Sequence, residues 1–209
     1  MSTILAYGDS NTWGLIPGSL PLTRFEEDKR WTGILDSEVP GLRIVEEGLC
    51  GRTTVYEDAL RPCRNGLALL AGVIESHLPL DGAVLMLGTN DCKPVYGVSS
   101  HTIGKGIELC LATLEHYIAP SKILLISPIE LGSEVYKPYK DPEFSINSVE
   151  VSKELKDVYS KIAQRRGNAF LAASDIAKAD SADDEHLNED GHRALAQAVL
   201  DKLREMDLA

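Results

Sequence analysis

The strongest constraint on the fold is a regular alternation along the chain. Apolar, β-forming runs at 3–7, 42–45, 83–87, 123–126 and 169–172 are separated by segments whose apolar residues recur every three or four positions. The first pattern suits a buried strand, the second a helix with one buried face. Helices are expected over 28–39, 65–77, 99–118, 149–166 and 189–206. Leu67, Leu70, Ala71 and Ile74 mark one apolar stripe; Leu195, Ala198, Val199 and Leu203 mark another. Strands that alternate with such helices build a mainly parallel sheet with helices on both faces. Residues 84–87 are apolar at every position, as a central parallel strand requires. The expectation is an α/β protein with about five mainly parallel strands, in one domain over 1–209.

Composition removes several classes of function. A net charge of −11 argues against nucleic acid or an anionic membrane as partner. No apolar run is long enough to cross a bilayer. The amino terminus lacks the basic and apolar regions of a signal peptide. Cys50, Cys63, Cys92 and Cys110 show neither a C-x-x-C pair nor zinc spacing. They read as reduced thiols that fill space in a cytoplasmic protein. No metal or other cofactor is implied. Two connections, 15–27 and 129–146, are longer than a compact domain needs; both are expected to wall a substrate pocket.

Four short blocks carry candidate chemistry. Gly8-Asp9-Ser10 follows the first strand and sets a serine at the carboxyl edge of the sheet, where open α/β folds place their sites. Alone it reads equally well as a helix cap. Gly51, after the second strand, lets the backbone approach another group and leaves an N–H free to face a cleft. The role of the adjacent Arg52 is open. Asn90, after the most apolar strand, has an amide able to donate to a developing oxyanion. Asp91 reads as a structural acceptor. Asp183 and His186, spaced i and i+3, can share one side of a turn. A carboxylate on one imidazole nitrogen fixes the tautomer and leaves the other as a base. Asp184 competes for the orienting role. His192 is too deep in the following helix to be the base, and His77, His101 and His116 read as surface or helix-end residues.

In order and position the four blocks resemble those of the SGNH hydrolases, the GDSL-type esterases and lipases. The matching residues are Ser10, Gly51, Asn90 and His186, with Asp183 three residues before the histidine. Further stretches, 8–14, 30–33, 46–54, 77–81 and 86–91, resemble the arylesterase/acyltransferase branch. Leu15 departs from it, standing where that branch carries a second tryptophan. The resemblance implies a flavodoxin-like, three-layer α/β/α fold and a homo-oligomer. It implies a serine esterase that acts on short-chain carboxylic esters through an acyl-enzyme on Ser10, with transfer to an alcohol as a second outcome. Ser10, Asp183 and His186 would be catalytic, and Ser10, Gly51 and Asn90 would form the oxyanion hole. Asn11, Trp13 and Leu15, just past the nucleophile, are candidates for binding the small ester; Trp13 packing beneath the first helix is the alternative. Rival readings are a carbohydrate or xenobiotic O-deacetylase and, in another class, an inactive small-molecule binding module. A phosphate-binding module is disfavoured, because 104–106 lacks both the position and the spacing of a phosphate loop.

Overall fold

Each apolar run forms a strand in the computed structural model, which describes residues 2–20 and 22–209. The strands are β1 (Ser2–Gly8), β2 (Leu42–Gly48), β3 (Gly82–Met86), β4 (Ile123–Ser127) and β5 (Ala169–Ala172). They form one parallel sheet in the order β2-β1-β3-β4-β5. Successive side chains of a strand point to opposite faces. Accordingly, Leu5 and Tyr7 of β1 enter one core and Ile4 and Ala6 the other.

The helices are α1 (Ser10–Trp13), α2 (Trp31–Glu38), α3 (Gly66–His77), α4 (Ser100–Glu115), α5 (Ile146–Arg166) and α6 (Glu189–Glu205). α3, α4 and α5 cover one face with Leu70, Ile74, Ile107, Leu111 and Leu155. α2 and α6 cover the other with Trp31, Leu35, Leu195, Val199 and Leu203. Burying each such side chain stabilises the fold by roughly 1.5–3 kcal/mol. That exceeds the contribution of any one helix cap, so the stripes rather than the caps decide which face turns inward. The result is the three-layer, flavodoxin-like arrangement expected. Among the described residues no helix is long and apolar enough to cross a membrane.

Several boundaries differ from expectation for local reasons. α5 begins at Ile146, not 149, because Ser145 and Ser148 form a reciprocal capping box. β2 continues through two glutamates to Gly48. Arg24 and Arg30 pair with Glu46, and His77 pairs with Glu47, so charge does not end the strand. α1 is a single turn, too short for a periodic signal, capped by Asp9 accepting from the Asn11 N–H. Residues 27–29 form a separate 3-10 turn, so α2 starts at Trp31 rather than 28. Pro21, part of the expected 15–27 wall, lies outside the described residues.

The chain steps from β1 to β2 on one side, then crosses to β3 on the other. The crevice between the carboxyl ends of β1 and β3 is therefore the switch point of the sheet, the usual ligand position in this architecture. Ser10 follows β1 and Asn90 follows β3.

Candidate active site

The first and fourth blocks lie far apart in sequence and meet at the switch point. Ser10 Oγ lies 2.8 Å from His186 Nε2. On the other side of the ring, Nδ1 lies 2.8 Å from Asp183 Oδ2. The Asp183 carboxylate also accepts the backbone N–H groups of Glu185 and His186 through Oδ1 and that of Gly18 through Oδ2. Burial works against its charge, but the His186 contact and these N–H groups outweigh it and hold the carboxyl down at about 2. Asp184 takes no part: it pairs with Lys140 at 3.0 Å and accepts the Glu134 N–H. The geometry thus separates the two neighbouring aspartates that sequence left in competition.

Asn11 is the clamp between the two blocks. Its Nδ2 donates to the Glu185 carbonyl at 3.3 Å, and its Oδ1 accepts the Leu187 N–H at 2.9 Å. The side chain expected to touch substrate is instead buried and engaged with the histidine loop. Trp13 carries the Arg24 guanidinium over its ring, 5.4 Å from the centroid, and is not among the residues lining the cleft. Of the three expected binding residues only Leu15 lines the cleft over Ser10.

The second and third blocks are tied to this pair by backbone-directed bonds. Arg52, whose role was open, donates from Nη1 to the carbonyls of Gly8 and Glu47, with its guanidinium over the Tyr7 ring. Asp91 accepts the Thr54 N–H and hydroxyl, which joins the third block to the second. Asn90 Nδ2 donates one hydrogen to the Arg52 carbonyl at 3.2 Å, leaving the other for the cleft that Asn90 lines. Gly51 has φ +83, a conformation that favours glycine. The backbone N–H groups of Ser10 and Gly51 have no acceptor among the described residues. Gly88, with φ +128, is packed so closely on the Tyr159 hydroxyl that a Cβ there would collide with it. That contact fixes the turn which presents Asn90.

Both long loops reach the cleft. Leu15 and Leu22 come from the first, and Asp141, Pro142 and Glu143 from the second. Three charged residues without a role from sequence also face it: Arg61, Lys93 and Glu185. Lys93 is paired with Glu143 at 2.5 Å. Glu185 Oε1 lies 3.6 Å from His186 Nε2. Burial pushes the Glu185 carboxyl up to about 7, against the pull of His186 and Lys93. Burial alone would push the His186 imidazole down, but Glu185 and Asp183 outweigh it and raise it to about 9. The only signal for Glu185 in the sequence was its place between Asp183 and His186, and spacing does not say where its side chain points.

The remaining candidates are not joined to the Asp183–His186–Ser10 contacts. His192 is fully buried between α2 and α6, where its Nδ1 accepts the Trp31 N–H, and burial pushes it down to about 4. Cys50 lines the cleft, but burial pushes its thiol up to about 11, so it carries no thiolate at neutral pH. Cys92 is buried under the third block, with Sγ donating to the Gly88 carbonyl.

The same arrangement of blocks defines a known group of proteins. The model of the GDSL-like lipase/acylhydrolase family matches residues 6–194. The chain belongs to this family. Among solved structures, the M. smegmatis aryl esterase is 32% identical, with a TM-score of 0.91, over 99% of this chain and 100% of that one. Est24, a carbohydrate acetylesterase from Sinorhizobium meliloti, is 34% identical, with a TM-score of 0.90, over 99% and 100%. A second S. meliloti structure, of a carbohydrate acetylesterase family member, is 32% identical, with a TM-score of 0.85, over 99% of each chain. A comparison with curated proteins finds no match. This family member is a carboxylic ester hydrolase.

Proposed function

We propose that the enzyme hydrolyses short-chain carboxylic esters through an acyl-enzyme on Ser10. The observation that carries this reading is the continuous contact from Asp183 through His186 to Ser10, 2.8 Å at each step. His186 Nε2 takes the hydroxyl proton as Ser10 Oγ bonds to the ester carbonyl carbon. The carbonyl electrons move to oxygen, which receives hydrogen bonds from the Ser10 and Gly51 N–H groups and the free Asn90 hydrogen. The tetrahedral adduct collapses as the C–O bond to the alcohol breaks, and the leaving oxygen takes the proton from Nε2. Water then gives its proton to His186 and attacks the acyl carbon. Ser10 Oγ leaves and recovers that proton. An alcohol in place of water yields a new ester, which is acyltransferase activity. Asp183 holds the ring and balances its charge throughout.

Leu15, Leu22 and Pro142 give the cleft a limited apolar wall, which suits an acyl group of a few carbons. Initial rates on p-nitrophenyl esters from acetate to octanoate test this, with acetate to butyrate expected to be fastest. Ser10→Ala should abolish turnover of p-nitrophenyl acetate and labelling by a fluorophosphonate; wild-type turnover in that variant would falsify the mechanism. Folded wild-type protein should take the label, and its absence would count against an acyl-enzyme on Ser10. The O-deacetylase reading is supported by the charged residues that share the cleft with those apolar ones, and by the two S. meliloti relatives.

A homo-oligomer is supported by apolar side chains on loops of the same edge: Leu20 is 92% exposed, Leu60 85% and Val95 80%. Light scattering on wild type and Leu60→Asp tests it, with a smaller mass expected for the variant. Four unpaired cysteines support a reducing, cytoplasmic setting.

A further inference from the structure

Glu185 is an unusual group to find beside a catalytic histidine. It is only 5% exposed, yet its carboxylate faces the cleft and receives no hydrogen bond from any described residue. Its backbone is held at both ends of the peptide: the N–H donates to Asp183 Oδ1 at 2.9 Å, and the carbonyl accepts from Asn11 Nδ2. The side chain is therefore presented from a fixed base. A buried carboxylate without donors is costly, and the cost falls when a ligand supplies them. Lys93 offsets part of the charge without bonding to it, which disfavours a second cation and leaves room for a neutral hydrogen-bond donor.

The position of the carboxylate names the part of the substrate it meets. Oε1 lies 3.6 Å from His186 Nε2, the atom that gives its proton to the departing alcohol oxygen. A group bonded to Oε1 must thus belong to the alcohol half of the ester, close to the scissile oxygen. The two oxygens of a vicinal diol are separated by a span of this size. We infer that Glu185 is a specificity-determining residue that accepts a hydrogen bond from a hydroxyl on the carbon next to the ester-bearing carbon, selecting monoesters of vicinal diols and polyols. This deepens the esterase reading and rests on it. In the acylation step the hydroxyl only bonds to Oε1; the bonds made and broken are those already described.

Two esters of similar size separate the donor from mere polarity: 2-hydroxyethyl acetate and 2-methoxyethyl acetate. The readout is the ratio of their kcat/KM values, because any change in His186 or Ser10 acts on both and cancels. A hydrogen bond to a charged acceptor is worth a factor of about 10 to 100. The wild-type ratio should lie in that range, with 2-hydroxyethyl acetate favoured. Glu185→Gln, which keeps an acceptor but no charge, should lower the ratio several-fold. Glu185→Leu should bring it close to one. Equal kcat/KM values in the wild type, or a ratio unmoved in Glu185→Leu, would overturn the inference while leaving the esterase reading intact. If the wild type hydrolysed neither ester nor p-nitrophenyl acetate and took no fluorophosphonate label, both readings would fall together.

Discussion

Removing the charge of Glu185 should move the pH dependence of the enzyme to lower pH. In the proposed mechanism His186 is the base and must be neutral, so the acidic limb of kcat/KM should report its ionisation in the free enzyme. That ring is faced by Asp183 and Glu185 from its own loop, by Asp9 from the first block, and by His192 from α6. The carboxylates prevail and hold it at about 9, so activity should be half-maximal near there. A unit charge at 3.6 Å is worth about 1 kcal/mol under water-like screening and about 5 kcal/mol at an effective dielectric of roughly 20. At about 1.4 kcal/mol per pH unit, the Glu185 charge then accounts for roughly one to three units. Glu185 itself titrates near 7, so the carboxylate–imidazolium pair exists between about 7 and 9, and the two groups titrate as a coupled pair. In Glu185→Gln the acidic limb should move down by at least about one unit. Near pH 8, where Glu185 is mostly ionised in the wild type, the neutral fraction of His186, and with it kcat/KM for phenyl acetate, should rise about threefold. The assay is a profile from pH 5 to 10 on folded protein, with the variant's melting temperature measured alongside. A limb that stays in place, or moves to higher pH, refutes the electrostatic argument.

Three further outcomes follow from named contacts. In the proposed mechanism Asn90 donates to the oxyanion, so Asn90→Ala should lower kcat about 10²- to 10³-fold in steady-state assays, with little change in KM. Asn11→Ala leaves the Leu187 N–H and the Glu185 carbonyl without their partner; it should cost about 1–3 kcal/mol in denaturant unfolding and also lower kcat, and an unchanged kcat would show that the clamp does not hold the histidine loop. Asp183→Asn should lower kcat by about 10⁴ and change acid stability. The native carboxyl is held at about 2 against an ordinary 3.8, so its roughly 2 kcal/mol is present above pH 4 and lost as pH falls through 2. Melting curves from pH 5 to 2 should therefore fall less steeply in the variant than in the wild type.

The fold class was legible in the sequence, and candidate reacting groups could be named from it, because both rest on local spacing. Strand runs alternate with helical stripes, and the two periods are fixed by backbone geometry. Asp183 and His186 share a turn, so their contact is set by the spacing of three residues. Ser10, Gly51 and Asn90 each follow a strand, and parallel strands bring their carboxyl ends to one edge. The tertiary structure decided what depends on the direction of single loop side chains. Asn11 stands beside Ser10 in sequence yet bonds to residues 174 and 176 positions away. Trp13 turns to Arg24, while Leu15 two residues on enters the cleft. Glu185 sits between two residues that spacing identified, but its meeting with His186 Nε2 and Lys93 depends on how the 129–146 loop and the last block pack over β1 and β3. Loops have no repeating period, so their side chains take their direction from long-range packing and charge.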